Sequence, residues 1–93
     1  MDDIIYYNAL FDYYGELLTF TQINYFKAYY CDNLSLSEIS TEFNVSRNAI
    51  SKTLKEVKEK LDYYENKLNL YHNKLKIKTL ISENEFDKIN KYI

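Results

Sequence analysis

With no proline and a single glycine, Gly15, among its 93 residues, this chain has almost no means of making tight turns. Hairpins draw on glycine and proline for their positive-φ and fixed-φ positions. A fold of many short strands is therefore excluded, and an all-α fold remains. The apolar share, 46 %, is that of a folded domain and not of a disordered tail. One domain of this size buries only about 60–65 % of its unfolded surface, so the core has to be dense. The eleven tyrosines read either as AT-rich codon usage, which also enriches asparagine, isoleucine and lysine, together with core packing, or as a special use.

The same scarcity of glycine removes whole classes of chemistry. Phosphate-cradling loops and dinucleotide fingerprints need several glycines, because only bare backbone approaches a pyrophosphate closely. Structural zinc needs about four Cys or His ligands, and only Cys31 and His72 are present. A disulfide framework is impossible with one cysteine. His72 reads as a surface side chain, and Cys31, with no base nearby in sequence, as a buried or inert thiol. The carboxylate pairs Asp2/Asp3 and Glu38/Glu42 lack the apolar pocket that general acid work requires. No uncharged apolar run reaches a membrane span, and the start, MDDII, lacks a basic leader region. The expectation is a cytoplasmic chain that is not an enzyme, with no cofactor, no metal, no membrane contact and no small-molecule substrate.

Charge is unevenly placed. Residues 1–46 carry one base, Lys27, against seven acids, and residues 47–93 carry eleven bases against seven acids, a split of −6 and +4 beneath a net charge of −2. Such asymmetry points to a polyanionic partner for the second half.

Helix starts are legible from capping chemistry. Ile4, Tyr7, Phe11, Tyr14 and Leu18 share one face of a first helix expected over about Asp3–Leu18, with Asp2 and Asp3 favoured by its dipole. Tyr6, Leu10, Tyr13 and Leu17 form a second apolar stripe. Thr19 to Gln22 and Ser35 to Glu38 fit capping boxes, opening a second helix to about Tyr30 and a short third helix to Phe43. The polar run Cys31–Leu34 reads as the connector. Asn44-Val45-Ser46 then supplies a residue that tolerates the left-handed conformation, an apolar plug and a new N-cap. A short helix, a three-residue turn and a new N-cap make a helix-turn-helix, expected over about residues 36–60, with small Ser40 allowing a close crossing. Beyond Ser46, Ile50, Leu54, Val57, Leu61, Tyr64, Leu68, Tyr71 and Leu75 follow an uninterrupted heptad spacing. That predicts one long helix over about residues 47–78. Ser82 to Glu85 is a third capping box, opening a last helix over about 83–92 that carries Phe86, Ile89 and Ile93. Nothing divides residues 1–93 into more than one domain.

The segments LFDYYGELLT (Leu10–Thr19), YYCDNLSLSEIS (Tyr29–Ser40), VSRNAIS (Val45–Ser51) and YYENKLNL (Tyr63–Leu70) resemble the YlxM family of small bacterial helix-turn-helix proteins. The resemblance covers roughly residues 8–70. Its centre, from LTFTQ to VSRNAIS, is also similar to the promoter-reading region 4 of sigma factors. The resemblance implies an all-α, sigma region 4-like helix-turn-helix with a long recognition and seam helix and a short C-terminal helix. It further implies a regulatory role in the signal recognition particle pathway, because genes of this family lie beside that of the particle's GTPase. The particle's RNA or its GTPase are then the implied partners. The chain departs from the family pattern at Asn48, where glutamine is expected, and at Ser51-Lys52-Thr53, where a Tyr-Asp pair is commoner.

In a groove-reading helix-turn-helix, side chains near the start of the second helix meet base edges. Here they are Arg47, Asn48, Ser51, Lys52 and Lys55, with Arg or Lys suited to guanine and Asn to adenine. The competing reading is a solvated helix face joined by the (i, i+4) pairs Lys52/Glu56, Lys55/Glu59 and Glu56/Lys60. Lys60, Lys67, Lys74 and Lys78 form a second basic stripe, either a grip for RNA or an acidic protein, or a row whose stems cover the apolar seam. The seam itself, Leu61, Tyr64, Leu68, Tyr71 and Leu75, is either a homodimer interface or an internal core against the first helix. A sequence-specific DNA-binding regulator is the alternative to a particle-associated function.

Overall fold

The structure, a computed structural model, describes residues 2–81 and 83–93, and these form helices and turns with no strand among them. The helices are α1 (Asp2–Tyr14), α2 (Phe20–Phe26), α3 (Leu36–Phe43), α4 (Arg47–Leu68), α5 (Leu70–Leu80) and α6 (Glu83–Ile89). Both described capping boxes form in full. Thr19 Oγ1 accepts from the Gln22 amide while Gln22 returns to the Thr19 amide, and Ser35 with Glu38 does the same. The two donors of Ser35 hold the Glu38 carboxyl below its usual range. The third box begins at Ser82, which lies outside the described residues.

α1 stops sooner than its apolar spacing predicts. Residues Gly15–Leu17 tighten into a 3₁₀ turn closed by Leu18 N donating to Gly15 O at 3.1 Å. A Cβ at Gly15 would come within 3.1 Å of the Phe11 ring, tighter than ordinary contact, and that ring is stacked on Phe26 at 4.5 Å. After α2 the backbone widens into a π-helical turn over Lys27–Cys31, where the Asp32 amide reaches back to the Lys27 carbonyl at 2.8 Å. Asn33, at φ 58, closes that turn in the left-handed region.

The bend between α3 and α4 is built by Ser40 and Asn44. Asn44 is left-handed (φ 56), and the amides of Asn44 and Val45 both donate to the Ser40 carbonyl. The Ser40 hydroxyl in turn donates to the Val45 carbonyl. Ser40 therefore acts through hydrogen bonds and not only through its small size. Ser46 then caps α4, its Oγ accepting from the Ala49 amide at 3.0 Å.

Ile39, Ile50, Leu54, Val57 and Leu61 form a core with Leu10, Tyr14, Phe26 and Tyr30, all buried. α1 runs parallel to the second half of α4: Asp3 meets Lys58, Tyr7 meets Asp62 and Tyr14 meets Glu65. The two predicted stripes of α1 are each half used. Leu10 and Tyr14 are buried, whereas Ile4 and Leu17 face solvent.

The single helix predicted over 47–78 is two helices. α4 ends at Leu68 because Asn69 turns left-handed (φ 55), and its amide closes the last turn on the Glu65 carbonyl at 2.8 Å. The first amides of α5 have no partner within their own helix, as at any helix start. Tyr14 Oη accepts from Leu70 N at 3.2 Å, Glu65 Oε1 from Tyr71 N at 3.3 Å and Glu65 Oε2 from His72 N at 2.9 Å. Tyr14 Oη also donates to Glu65 Oε1 at 2.6 Å. The heptad seam is thus interrupted. Leu61 is fully buried in the chain's own core. Tyr64 and Tyr71 pack half-buried on the core, while Leu68 and Leu75 are 51 % and 45 % exposed. The last helix is shorter than predicted, α6 passing into a 3₁₀ turn at Asn90–Tyr92, with Phe86 as its buried anchor.

Candidate functional site

Arg47 and Asn48 occupy the first turn of α4, and Ser51, Lys52 and Lys55 the next two; all five are exposed. Their common direction follows from the buried side of the helix. Ile50, Leu54 and Val57 are held against the core, so at 100° per residue Asn48, Lys52 and Lys55 point outward. The Ser46 cap fixes where the helix begins and therefore where these side chains emerge. None of the five side chains makes a hydrogen bond or ion pair among the described residues. The pairs Lys52/Glu56, Lys55/Glu59 and Glu56/Lys60 do not close, whereas Lys58 pairs with Asp3 at 3.2 Å. The basic groups at the start of α4 are therefore uncompensated by acids of the described residues.

Lys58, which the spacing argument passes over, borders this face. Partial burial works against its charge, but hydrogen bonds to Tyr30 and Asp3 outweigh it and raise its pKa above the ordinary lysine value. It also lies over the Tyr7 ring at 5.4 Å. Its helical (i, i+4) acid, Asp62, accepts instead from the Tyr7 hydroxyl at 2.8 Å, which leaves Lys58 to Asp3 of α1.

The second basic row is not one stripe. The Asn69 break separates Lys60 and Lys67 from Lys74 and Lys78. Lys60 Nζ donates to Gln22 Oε1 at 3.1 Å. Lys67, Lys74 and Lys78 sit over the rings of Tyr63, Tyr13 and Phe86 at 5.6, 6.0 and 5.7 Å. That arrangement is the one in which lysines cover aromatic surface.

Glu65, a buried carboxylate that sequence reasoning missed, serves the α4–α5 corner. Cys31, read as buried or inert, is exposed. Partial desolvation of its sulfur, with Asp32 beside it, pushes the thiol up and away from the reactive thiolate. His72 is exposed. Among the described residues no cluster of three or more His, Cys, Asp or Glu side chains could hold a metal ion. No described helix is long and apolar enough to cross a membrane.

Curated relatives share part of the chain. UPF0122 proteins of Lactococcus lactis subsp. cremoris, Streptococcus mutans and Streptococcus pyogenes are 47 %, 48 % and 48 % identical to it over 58 residues. Each match covers 62 % of this chain and 51–53 % of the relative, so the chain spans about half the length of the curated relatives it matches. The wider family signature extends over residues 1–92, which includes the Ser46-capped start of α4 and the corner at Asn69. The chain belongs to the UPF0122 family, the YlxM / p13-like helix-turn-helix proteins.

Proposed function

We propose that this protein is a regulatory nucleic-acid-binding protein of the signal recognition particle pathway that meets its target with the start of α4. The observation that carries the reading is a helix start presenting Arg47, Asn48, Ser51, Lys52 and Lys55, exposed and without partners of their own. Such a helix is dimensioned for the major groove, and its cations suit phosphates and base edges. The placement in the particle's pathway, with its RNA and GTPase as partners, and the kinship with sigma region 4 rest on the residue resemblance set out above.

A second reading, a sequence-specific DNA regulator, is favoured by the pairing of Arg47 with Asn48, the two side-chain types that read guanine and adenine bidentately. Titration against duplex DNA, the particle's RNA and its GTPase at several salt concentrations separates the two. A DNA regulator binds one duplex far above others and loses affinity steeply with salt. Binding confined to the particle's components retires that second reading, and no binding to nucleic acid retires the first.

The same reading includes a cytoplasmic homodimer. The chain exposes 6617 Å², about 900 Å² more than the roughly 5,700 Å² of a compact monomer of its mass. A standard interface buries about 800 Å² on each partner. Exposed Leu68, Leu75 and Leu80, on and beyond the Asn69 corner, supply apolar surface for it.

A further inference from the structure

Between the π-helical turn and α4 lies a cleft of about 240 Å³ bordered by Tyr29, Tyr30, Leu36, Ser51, Lys55 and Lys58. It opens beside the proposed reading face, with which it shares Ser51 and Lys55. The widened turn of Lys27–Cys31 carries two consecutive tyrosines that differ in burial. Tyr30 is buried and stacked on Phe26 at 4.6 Å, whereas Tyr29 is 38 % exposed and meets Tyr30 edge-on at 5.0 Å. π-Helical turns are uncommon and concentrate at functional sites. The cleft is below the roughly 300–1,000 Å³ of ordinary small-molecule pockets, so its fitting occupant is one flat group carried by a larger partner. Its walls are an aromatic face, a hydroxyl and two ammonium groups, one of them, Lys58, already shared with Asp3.

We propose that this cleft takes one unpaired nucleobase of a partly single-stranded nucleic acid, stacked on Tyr29, with the adjoining phosphate on Lys55. The proposal rests on the nucleic-acid reading of α4 and deepens it: the target is a duplex bordered by an unpaired nucleotide. Stacking tolerates any base because every base has a π-face, and an aromatic platform beside cations is the general means of holding single strands. Lys58, at the edge of the cleft, is tied to Asp3 and Tyr30, while Lys55 has no competing partner among the described residues.

The test uses the full chain with two probes sharing one stem, a blunt duplex and the same duplex with a short unpaired tail carrying 2-aminopurine, each in DNA and RNA form. Wild type binds the tailed probe more tightly and changes the 2-aminopurine fluorescence. Tyr29→Ala weakens tailed-probe binding about ten-fold, abolishes the fluorescence change and leaves the blunt duplex within two-fold, whereas Tyr29→Phe keeps all three properties. Circular dichroism of Tyr29→Ala checks that the fold is intact. Equal binding of both probes by wild type, or a Tyr29→Ala loss that is absent or equal on both, overturns the cleft assignment while leaving the α4 reading in place. Failure of wild type to bind any probe overturns both.

Discussion

Glu65 is 7 % exposed, and its two carboxylate oxygens accept from Tyr14 Oη and from the amides of Tyr71 and His72. A buried charge survives where donors and a helix N-terminus replace its water. Removing the acceptor leaves those donors unsatisfied, so Glu65→Leu is expected to lower unfolding free energy by on the order of 2–4 kcal/mol. Glu65→Gln, which keeps one oxygen, is expected to cost less; urea melts of the two variants decide. Tyr14 gives the same contact a pH signature. Burial, and then the hydrogen bond to Glu65, push its hydroxyl up to about 12 from 10.0. The folded state holds that proton more tightly, so stability is complete below pH 10 and falls between pH 10 and 12 as the unfolded chain ionises first. Tyr14→Phe should show a shallower alkaline decline in thermal melts. Tyr13 differs: its hydroxyl is buried with no hydrogen-bond partner among the described residues. Tyr13→Phe is therefore expected to be neutral or stabilising by about 1 kcal/mol, and a marked loss of stability would reveal a partner for that oxygen.

Among the elements, three asparagines, Asn33, Asn44 and Asn69, stand in the left-handed region, yet only Asn44 was legible beforehand. Asn44 sits between a short apolar pattern and a serine cap, so two independent signals coincide. Asn69 is hidden because Tyr64, Leu68, Tyr71 and Leu75 keep heptad spacing across it. Periodicity records which residues are apolar and is blind to a single residue that turns the backbone. The signal that would have found the corner is Glu65, an acid four residues before an asparagine, reaching the next helix start. The capping boxes at Thr19 and Ser35 were legible because each is a local exchange within four residues. The π-helical turn was not, since it follows from packing Ala28 and Tyr30 into the core. The reading face was legible because Ser46 fixes the phase of α4, whereas Lys58 and Tyr29 depend on contacts with α1 and the turn. Asn69→Ala puts a Cβ-bearing side chain without asparagine's local hydrogen bonding into the left-handed region and should cost about 1 kcal/mol, while Asn69→Gly is tolerated. Equal melting temperatures for Ala and wild type would mean that the corner straightens freely.

On the scale of the whole molecule, the acidic first half and the basic second half meet along α1 and α4, where Asp3 neutralises Lys58 and leaves Arg47, Lys52 and Lys55 uncompensated. The extents of 48 × 24 × 22 Å describe an elongated body, whose excess surface a second copy would cover. Leu68→Glu with Leu75→Glu should convert a dimer to a monomer in sedimentation at micromolar concentration, whereas a wild type already monomeric there contradicts the assembly. The central claim, that the start of α4 meets nucleic acid, is tested most directly by the salt dependence of binding for wild type and for the Arg47→Ala, Lys52→Ala double variant, on the preferred DNA or RNA target. The variant is expected to lose at least ten-fold in affinity, and its log–log salt slope to fall by about 1–2. An affinity and a slope both equal to wild type would contradict that claim.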